Sequence, residues 1–315
     1  MNEREIVCED LNLAIDDLKR CGFRLDLIYP ADDPHSAQLS RAAEIVRLTC
    51  RPDSPPLPLA LPVALSRFEP EFVLTSASTP SVEGRAGLVY RDLIPSRLGG
   101  RYIASHIFVP EGGLVRDWVH YHRISLQLIY VRRGWVRVVY EDQGEPFVMS
   151  EGDLVLQPPE IRHRVLESSK GLEVVEVTAP ALHATFADHE LDLPNGLDPQ
   201  RWFGSQIFLH HVARQQEWCP FGCGEAKDTG LDQATAGLSS ARTIRSGHGD
   251  RIDFPAHDGE LVFSFMLEGA ASLEFRGKHE LMAADSFVIP PGEQWSLVDT
   301  SRDFRMLHVT TSRLD

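Results

Sequence analysis

The feature that most constrains the fold is an internal repeat of short apolar runs in the C-terminal part of the chain. HYHRISLQLIYVRRG, which ends at Gly134, recurs as AHDGELVFSFMLEG, which ends at Gly269. GDLVLQPPEIRH (152–163) recurs in the same order as ADSFVIPPGEQW (284–295). Each run has the length of a β-strand, and glycine and proline separate the runs. The pattern therefore predicts two copies of one β-sandwich or barrel.

The rest of the chain divides around this repeat. Residues 1–52 predict a small α/β unit, because Asp10 is a suitable N-cap for an amphipathic helix over LNLAIDDLKR and strand-like runs flank it. Proline and serine are frequent in residues 53–85, which predicts a linker that wraps a neighbouring domain. The predicted boundaries are 1–52 for the N-terminal unit, 53–85 for the linker, 86–190 for barrel 1, 191–225 for the connection and 226–315 for barrel 2.

Composition and charge exclude several classes of partner. Of the 315 residues, 31 are Lys or Arg and 46 are Asp or Glu, which gives a net charge of −15. Nucleic-acid binding and docking on an anionic membrane both need a basic surface, so neither partner is expected. The most apolar stretch, 55–65, is too short and too rich in proline to span a bilayer. The five cysteines are scattered and no signal peptide is evident, so a cytoplasmic location is expected.

Barrel 1 carries a set of residues with the chemistry of a metal site. His120 and His122 are two residues apart on a predicted strand, so both side chains point to the same face. Gln127 follows in the strand LQLIYV, and His163 follows the paired prolines of the next repeat element. Three imidazoles and one oxygen donor suit Zn, Fe, Ni, Cu or Mn and leave positions open for a substrate.

These residues resemble the two motifs of the cupin superfamily, G-x5-H-x-H-x3–4-E-x6-G and G-x5-P-x-G-x2-H-x3-N. The resemblance covers both repeats and implies a bicupin, that is, two double-stranded β-helix (jelly-roll) barrels. It also implies that His120, His122 and His163 are ligands of one divalent transition metal ion, with Fe(II) favoured. The chain departs from the motifs in having Gln127 for Glu, Glu160 for Gly and Glu167 for Asn, and its opening glycine is displaced to Gly113. An amide at position 127 removes a negative charge from the ligand set, which makes the metal a stronger Lewis acid and the fourth ligand labile.

Barrel 2 does not repeat the ligand set. Alignment of Gly269 with Gly134 places Pro255, His257, Val262 and Trp295 at the four ligand positions. Only one of the four is a metal-binding residue type. Barrel 2 is therefore expected to be free of metal and to serve for packing or to cover the first site.

The first fifty residues resemble half of a glyoxalase or vicinal-oxygen-chelate domain, in the order strand, helix, strand, strand. Such modules work in pairs, and cupin barrels commonly pair through edge strands or sheet faces. The resemblances therefore imply a homodimer, which a single-chain mass in light scattering would contradict.

Residues just before the first motif are candidates for lining a substrate pocket. They are Arg101, Tyr102, His106 and Trp118. Among them, Arg101 has the chemistry to hold a substrate carboxylate with two hydrogen bonds. Structural roles are the alternative for all four, because the face that each side chain takes is not readable from the sequence. His183 and His189, which follow a barrel strand, are predicted to be surface residues, and the alternative is that they line the pocket or support a metal ligand.

Three classes of function remain open. The first is a dioxygenase, in which a small phenolic, enol or hydroxy/keto acid substrate chelates Fe(II). The second is a non-oxidative isomerase, cyclase or lyase that uses the metal as a Lewis acid. The third is a non-catalytic small-ligand-binding or sensor protein, since one fold serves many functions.

Overall fold

The computed structural model describes residues 2–51, 57, 65–83, 87–115, 117–247, 249 and 251–314. These residues form a mainly β structure with two barrels and a small N-terminal α/β unit, which confirms the predicted fold class. Part of the predicted linker 53–85 lies outside the described residues. None of the described helices is long and apolar enough to cross a membrane.

The N-terminal unit consists of one helix packed on a four-stranded sheet of order β1-β4-β3-β2. Its elements are β1 (Asn2–Val7), α1 (Leu11–Arg20), β2 (Arg24–Tyr29), β3 (Ser36–Arg41) and β4 (Glu44–Thr49). Asp10 caps α1 as predicted, because its carboxylate accepts a hydrogen bond from the Leu13 N–H at 3.0 Å. Strand β3 was not predicted from the sequence. The proposed likeness to half of a glyoxalase-type domain stays a prediction.

Barrel 1 and the segment that precedes it contain strands β5 to β17. Their bounds are β5 Val73–Thr75, β6 Val82–Glu83, β7 Val89–Asp92, β8 Ile103–Val109, β9 Gly113–Leu114, β10 His120–His122, β11 Leu126–Arg133, β12 Trp135–Tyr140, β13 Phe147–Ser150, β14 Leu154–Leu156, β15 His163–Ser168, β16 Leu172–Ala179 and β17 Thr185–Ala187. One sheet of the barrel has the order β17-β10-β15-β12-β13, and the facing sheet has the order β20-β14-β11-β16-β8-β7-β6, where β20 (Leu209–His211) comes from the connection.

The connection and barrel 2 complete the chain. The remaining elements are β18 Trp202–Phe203, β19 Gln206–Ile207, a 3-10 turn Ala213–Gln215, β21 Cys219–Phe221, β22 Gly224–Asp228, α2 Leu231–Ala234, β23 Ser239–Arg245, β24 Arg251–Phe254, β25 Leu261–Glu268, β26 Ala270–Glu274, β27 Lys278–Met282, β28 Ser286–Val288, β29 Trp295–Val298 and β30 Arg305–Thr311. The large sheet has the order β21-β22-β23-β30-β25-β28-β5, and the small sheet has the order β24-β29-β26-β27.

The two barrels pack through their large sheets. Leu126, Leu128 and Tyr130 of β11 share a buried cluster with Phe263 and Phe265 of β25. The alternate residues of the same strands point into each barrel and form separate apolar clusters. Strands such as LQLIYV are apolar nearly throughout because both of their faces are buried.

One continuous sheet joins the N-terminal unit to barrel 1 edge to edge. Strand β17 pairs with β10 on one side and with β2 on the other, so one continuous sheet runs through both. Leu27 and Tyr29 of β2 pack with Ala184 and Phe186 in a buried cluster at this junction. The N-terminal unit therefore supports the strand that carries the HxH pair.

A buried histidine makes the stability of barrel 2 sensitive to acid. His308 lies against Phe254 and Trp295 and accepts or donates a hydrogen bond with Ser264 (3.0 Å). Burial lowers its pKa from 6.5 to about 3, and the nearby Arg242 and His257 act in the same direction. The folded state therefore keeps His308 neutral, whereas the unfolded chain binds a proton below pH 6.5.

We therefore expect the contribution of His308 to stability to be complete above pH 6.5 and to decrease as the pH falls towards 3. Within this window the slope is about 1.4 kcal/mol per pH unit. Urea denaturation followed from pH 7 to pH 4 measures this slope, and in His308→Phe it should become shallower. Identical slopes for the two proteins would contradict the prediction.

Candidate metal centre

The structure brings the three predicted histidines together inside barrel 1. Strands β10 and β15 are neighbours, and His120 lies directly opposite His163 in their register. His122 follows on the same face of β10. Each histidine offers one ring nitrogen, and these three nitrogens all lie within 4.8 Å of one another. All three residues are buried. Among the described residues this is the only group of three or more His, Cys, Asp or Glu side chains with such spacing.

Backbone carbonyls fix the tautomer of all three rings. A carbonyl oxygen can only accept, so each Nδ1 must carry the proton and donate it. The accepting oxygens are those of Trp118 for His120 (2.8 Å), Ala184 for His122 (3.3 Å) and Ile161 for His163 (3.1 Å). Each Nε2 therefore presents a lone pair, which is the form that a metal ion requires.

Gln127 supplies an oxygen on the facing sheet. Its neighbours Leu126 and Leu128 pack between the barrels, so the Gln127 side chain points into barrel 1. Its Nε2 donates to Glu176 Oε1 at 2.8 Å, and because a carboxylate only accepts, the amide cannot be turned the other way. Its Oε1 is buried and has no hydrogen-bond partner among the described residues. An unpaired buried oxygen opposite three imidazole lone pairs fits a divalent transition metal ion.

The electrostatic surroundings keep His122 neutral. Burial lowers its pKa well below 6.5, and His183, His120 and His163 act in the same direction. Tyr140 stacks on His163 with ring centroids 5.5 Å apart. Burial, with Glu176 nearby, raises the pKa of Tyr140, which therefore stays a phenol. Two carboxylates lie close to the site: Asp117 Oδ1 is 3.5 Å from His120 Nδ1, and Glu176 is connected to the site through its hydrogen bond with Gln127.

Of the four predicted pocket residues, Trp118 lies beside the histidines. Its ring meets that of His120 edge-on at 5.2 Å, and its carbonyl accepts the His120 Nδ1 proton. It also packs on the apolar cluster of the N-terminal unit. Trp118 therefore connects that unit to the metal centre.

Arg101 and Tyr102 occupy the contact between the barrels, which differs from the pocket position that the sequence predicted. Arg101 donates two hydrogen bonds of 2.9 Å to the carboxylate of Glu260, and a third to the carbonyl of Leu314. The Tyr102 hydroxyl donates to Glu260 at 3.1 Å. Burial, with Glu260 adjacent, raises the pKa of Tyr102. The pocket prediction failed because Tyr102 and Ala104 share the face of the chain that packs on barrel 2.

His106 lies on the same face and belongs to a second network between the barrels. Arg91 donates to its Nδ1 at 3.3 Å, so its Nε2 must be the protonated nitrogen, which donates to Glu173 at 2.9 Å. Arg132 and Arg133 also bind Glu173. Burial alone would raise the pKa of Glu173, but the hydrogen bonds from His106 and Arg132 lower it to about 2. The network is thus a set of charged contacts, with Arg91 also bound to the barrel 2 carbonyl of Ala284.

His183 was predicted to be on the surface, and this prediction is wrong. It is 4% exposed, and its ring lies 5.3 Å from that of His122 and nearly perpendicular to it. The loop between β2 and β3 covers it, since the Ala31 N–H donates to the His183 carbonyl. His183 is therefore buried by a loop that is distant in the sequence, and no local sequence pattern indicates this contact. His189 is exposed as predicted.

Sequence reasoning also missed Gln157. It follows β14, immediately before the paired prolines of the second motif, and is buried with both side-chain polar atoms unpaired among the described residues. The available signal was strand alternation. Leu154 and Leu156 face barrel 2, so residue 157 is expected to face the interior of barrel 1.

Barrel 2 fills the corresponding space with aromatic rings. Trp295 stacks on Phe254 with centroids 3.7 Å apart and an interplanar angle of 2°. Val262 belongs to the same apolar cluster, and both ring nitrogens of His257 lack a hydrogen-bond partner among the described residues. The interior of barrel 2 at this position therefore combines aromatic rings with His257 and His308, and among the described residues it holds no group of three metal-binding side chains.

Comparisons with known proteins agree with this architecture. Residues 106–178 match the family model described as Cupin domain, whereas no curated protein matches the chain by sequence. A mutant of Bacillus subtilis oxalate decarboxylase superposes with a TM-score of 0.58 at 12% identity, covering 80% of this chain and 79% of that chain. Lactobacillus farciminis oxalate decarboxylase, in its formate complex, gives a TM-score of 0.56 at 12% identity, covering 80% and 88%. The segment that matches the Cupin domain model contains all four candidate ligands, and the chain as a whole has the two-barrel fold of these solved structures.

Proposed function

We propose that this protein is a metal-dependent cupin enzyme that acts on a small, oxygen-rich organic substrate at a single centre in barrel 1. His120, His122 and His163 hold the ion through Nε2, and Gln127 adds its Oε1. The observation that carries this proposal is the agreement of four separate hydrogen bonds: three place the imidazole proton on Nδ1, so that Nε2 is the nitrogen with the lone pair, and the fourth fixes the Gln127 amide with Nε2 towards Glu176.

The protein residues set the properties of this centre. When bound, the ion supplies Lewis acidity to an oxygen-donor substrate and, if it is iron, redox chemistry with O2. Gln127 leaves the ligand set without a negative charge, while Glu176 orients the amide and provides a carboxylate one hydrogen bond away. Burial of the site excludes water from the reacting groups and strengthens the electrostatic interactions there.

Two reaction classes follow from this arrangement. Dioxygenation of a chelating phenol, enol or hydroxy/keto acid is the first, because release of the labile Gln127 amide would leave the ion held by three histidines, with room for both oxygens of the substrate and for O2. A non-oxidative isomerase, cyclase or lyase reaction is the second. The neutral ligand set of three imidazoles and one amide favours this second class, because it leaves the positive charge of the ion available to polarise a carbonyl group.

Elemental analysis of anaerobically purified protein tests the metal centre. We expect about one transition metal ion per chain in the wild type. His163→Ala should lose it, because two imidazoles and an amide hold an ion poorly. His257→Ala is the matched control, since it removes the histidine at the equivalent region of barrel 2, and it should retain the metal. Equal metal contents in His163→Ala and the wild type would contradict the proposal.

Oxygen uptake separates the reaction classes. The iron-loaded protein is mixed with a panel of phenols, enols and keto acids in an oxygen electrode, and the products are identified. Substrate-dependent O2 consumption supports dioxygenation, whereas turnover of a panel member with no O2 consumption supports the non-oxidative class. Tight metal binding without any turnover would instead support a ligand-binding protein.

A further inference from the structure

Barrel 1 contains polar atoms that the metal centre does not use. Gln157 is 1% exposed, and both its Nε2 and its Oε1 lack hydrogen-bond partners among the described residues. His183 is similarly buried, with Nε2 unpaired. A buried polar group without a partner costs free energy, so proteins rarely retain one without a ligand, water or catalytic role. Two such groups close to one centre point to a bound molecule.

The strand register places Gln157 beside the metal centre. In the antiparallel pair of β11 and β14, Leu128 lies opposite Leu156, so the next pair along is Gln127 and Gln157. The Gln157 N–H donates to the Gln127 carbonyl at 2.9 Å, which continues this pairing. Side chains directly opposite each other share a face and have Cβ atoms about 4.5–5.5 Å apart. The unpaired amide therefore lies next to the proposed fourth ligand.

His183 lies beside His122, and its hydrogen bonding leaves its second ring nitrogen able only to accept. Its Nδ1 donates to the Pro180 carbonyl at 3.2 Å, so Nε2 carries a lone pair and can only accept. Its ring is in contact with that of His122, yet it is not part of the set whose nitrogens lie within 4.8 Å of one another. The Nε2 is thus placed to accept a hydrogen bond from a molecule held at the centre.

The charged and polar groups around the centre indicate which class of molecule would bind there. The inner wall presents two amides, a neutral imidazole and the carboxylate of Glu176. The arginines next to the ligands in the chain bind carboxylates: Arg123 binds Glu160 and Arg162 binds Asp188. Arg97 binds Asp32 and Asp92, and Arg91, Arg101 and Arg132 bind partners between the barrels. A dicarboxylate would bring two negative charges towards Glu176 with only the metal to balance them. A neutral compound with a hydroxyl and a carbonyl matches the wall, because its O–H donates to His183 and its C=O accepts from the Gln157 amide.

We propose that Gln157 and His183 are the substrate-recognition residues of barrel 1, and that they select a neutral hydroxy-carbonyl compound over a dicarboxylate. This inference rests on the proposed function, since the compound is bound at the same metal ion.

The test uses the full chain loaded with Co(II), whose visible spectrum reports ligand binding. The probes are maltol, a hydroxy-ketone, and oxalate, a dicarboxylate, each titrated into the wild type, Gln157→Leu and His183→Phe. Both variants should bind Co(II) as the wild type does. Their Kd for maltol should rise about tenfold, the effect of one lost hydrogen bond, while their Kd for oxalate stays the same. His257→Phe in barrel 2 is the matched control and should change neither value.

The melting temperature distinguishes recognition from a structural role. Leucine has a volume close to that of glutamine and removes an unpaired amide, so Gln157→Leu should melt no lower than the wild type. Three results would each overturn this inference without affecting the proposed function. They are a lower melting temperature for Gln157→Leu, an unchanged Kd for maltol in the variants, and an equal loss of affinity for maltol and oxalate. Failure of the wild type to bind Co(II) would overturn the proposed function, and the inference with it.

Discussion

Replacing Glu260 by glutamine is expected to lower the free energy of unfolding by about 3–5 kcal/mol, because it leaves a guanidinium buried without a counterion. The side chains of Arg101 and Glu260 are 10% and 6% exposed, and the carboxylate accepts two hydrogen bonds from Arg101 and one from Tyr102. The neutral amide cannot balance the charge, and its NH2 group cannot accept from Arg101. Chemical denaturation of the purified variant measures the loss.

Two further variants show whether the charge is responsible. The double variant Arg101→Met/Glu260→Leu removes both charges and should recover most of the lost stability, since an apolar pair of similar volume often replaces a buried ion pair without cost. Glu111→Gln breaks the exposed pair with Lys170 and should have little measurable effect. A Glu260→Gln protein as stable as the wild type would show that the pair is not needed to hold the barrels together.

Removal of the N-terminal unit, residues 1–51, is expected to weaken metal binding about 10- to 100-fold, the usual effect of losing a group that orients a ligand. His122 Nδ1 donates to the carbonyl of Ala184, and Ala184 is held in a cluster with Leu27 and Tyr29 of β2. Without β2, strand β17 becomes an exposed edge and the chain around Ala184 loses its support. Competition with a chelator of known affinity measures the change.

A point variant tests the same contact in the full chain. Leu27→Ala opens a cavity against Ala184 and should weaken metal binding together with stability. Leu39→Ala removes an equally buried leucine from the other cluster of the N-terminal unit, so it should lower stability but leave metal affinity unchanged. The prediction is wrong if both leucine variants alter metal affinity equally.

Local patterns in the sequence were sufficient for the barrels and for the convergence of the histidines. The spacing of His120 and His122 determines that they share a face, and the repeated proline turn places His163 beside them. The sequence did not show which elements, distant along the chain, each side chain would contact. Alternation shows that Tyr102 and His106 share a face, but it does not show that barrel 2 covers this face. Whether Arg101 meets a substrate or Glu260 depends on that packing.

The contribution of the N-terminal unit was missed for a related reason. Strand β17 is only three residues long, and β3 has the sequence SAQLSR, which lacks the β-branched and aromatic residues typical of strands. Both strands owe their conformation to pairing with neighbours. The burial of His183 follows from the same pairing, because β2 brings the loop at Ala31 over it.

The pairing of β5 with β28 has a consequence for how the chain folds during synthesis. Residues 73–75 form an edge of barrel 2, yet all of barrel 1 is synthesised between this strand and its partner at 286–288. Strand β5 therefore leaves the ribosome long before its partner exists, and closing so long a loop is entropically slow. The two barrels are consecutive in sequence, but the final state of barrel 2 requires a segment from before barrel 1. Cleavage of the connection between the barrels would therefore leave β5 attached to the barrel 1 fragment, so the barrel 2 fragment would lack one edge strand of its large sheet.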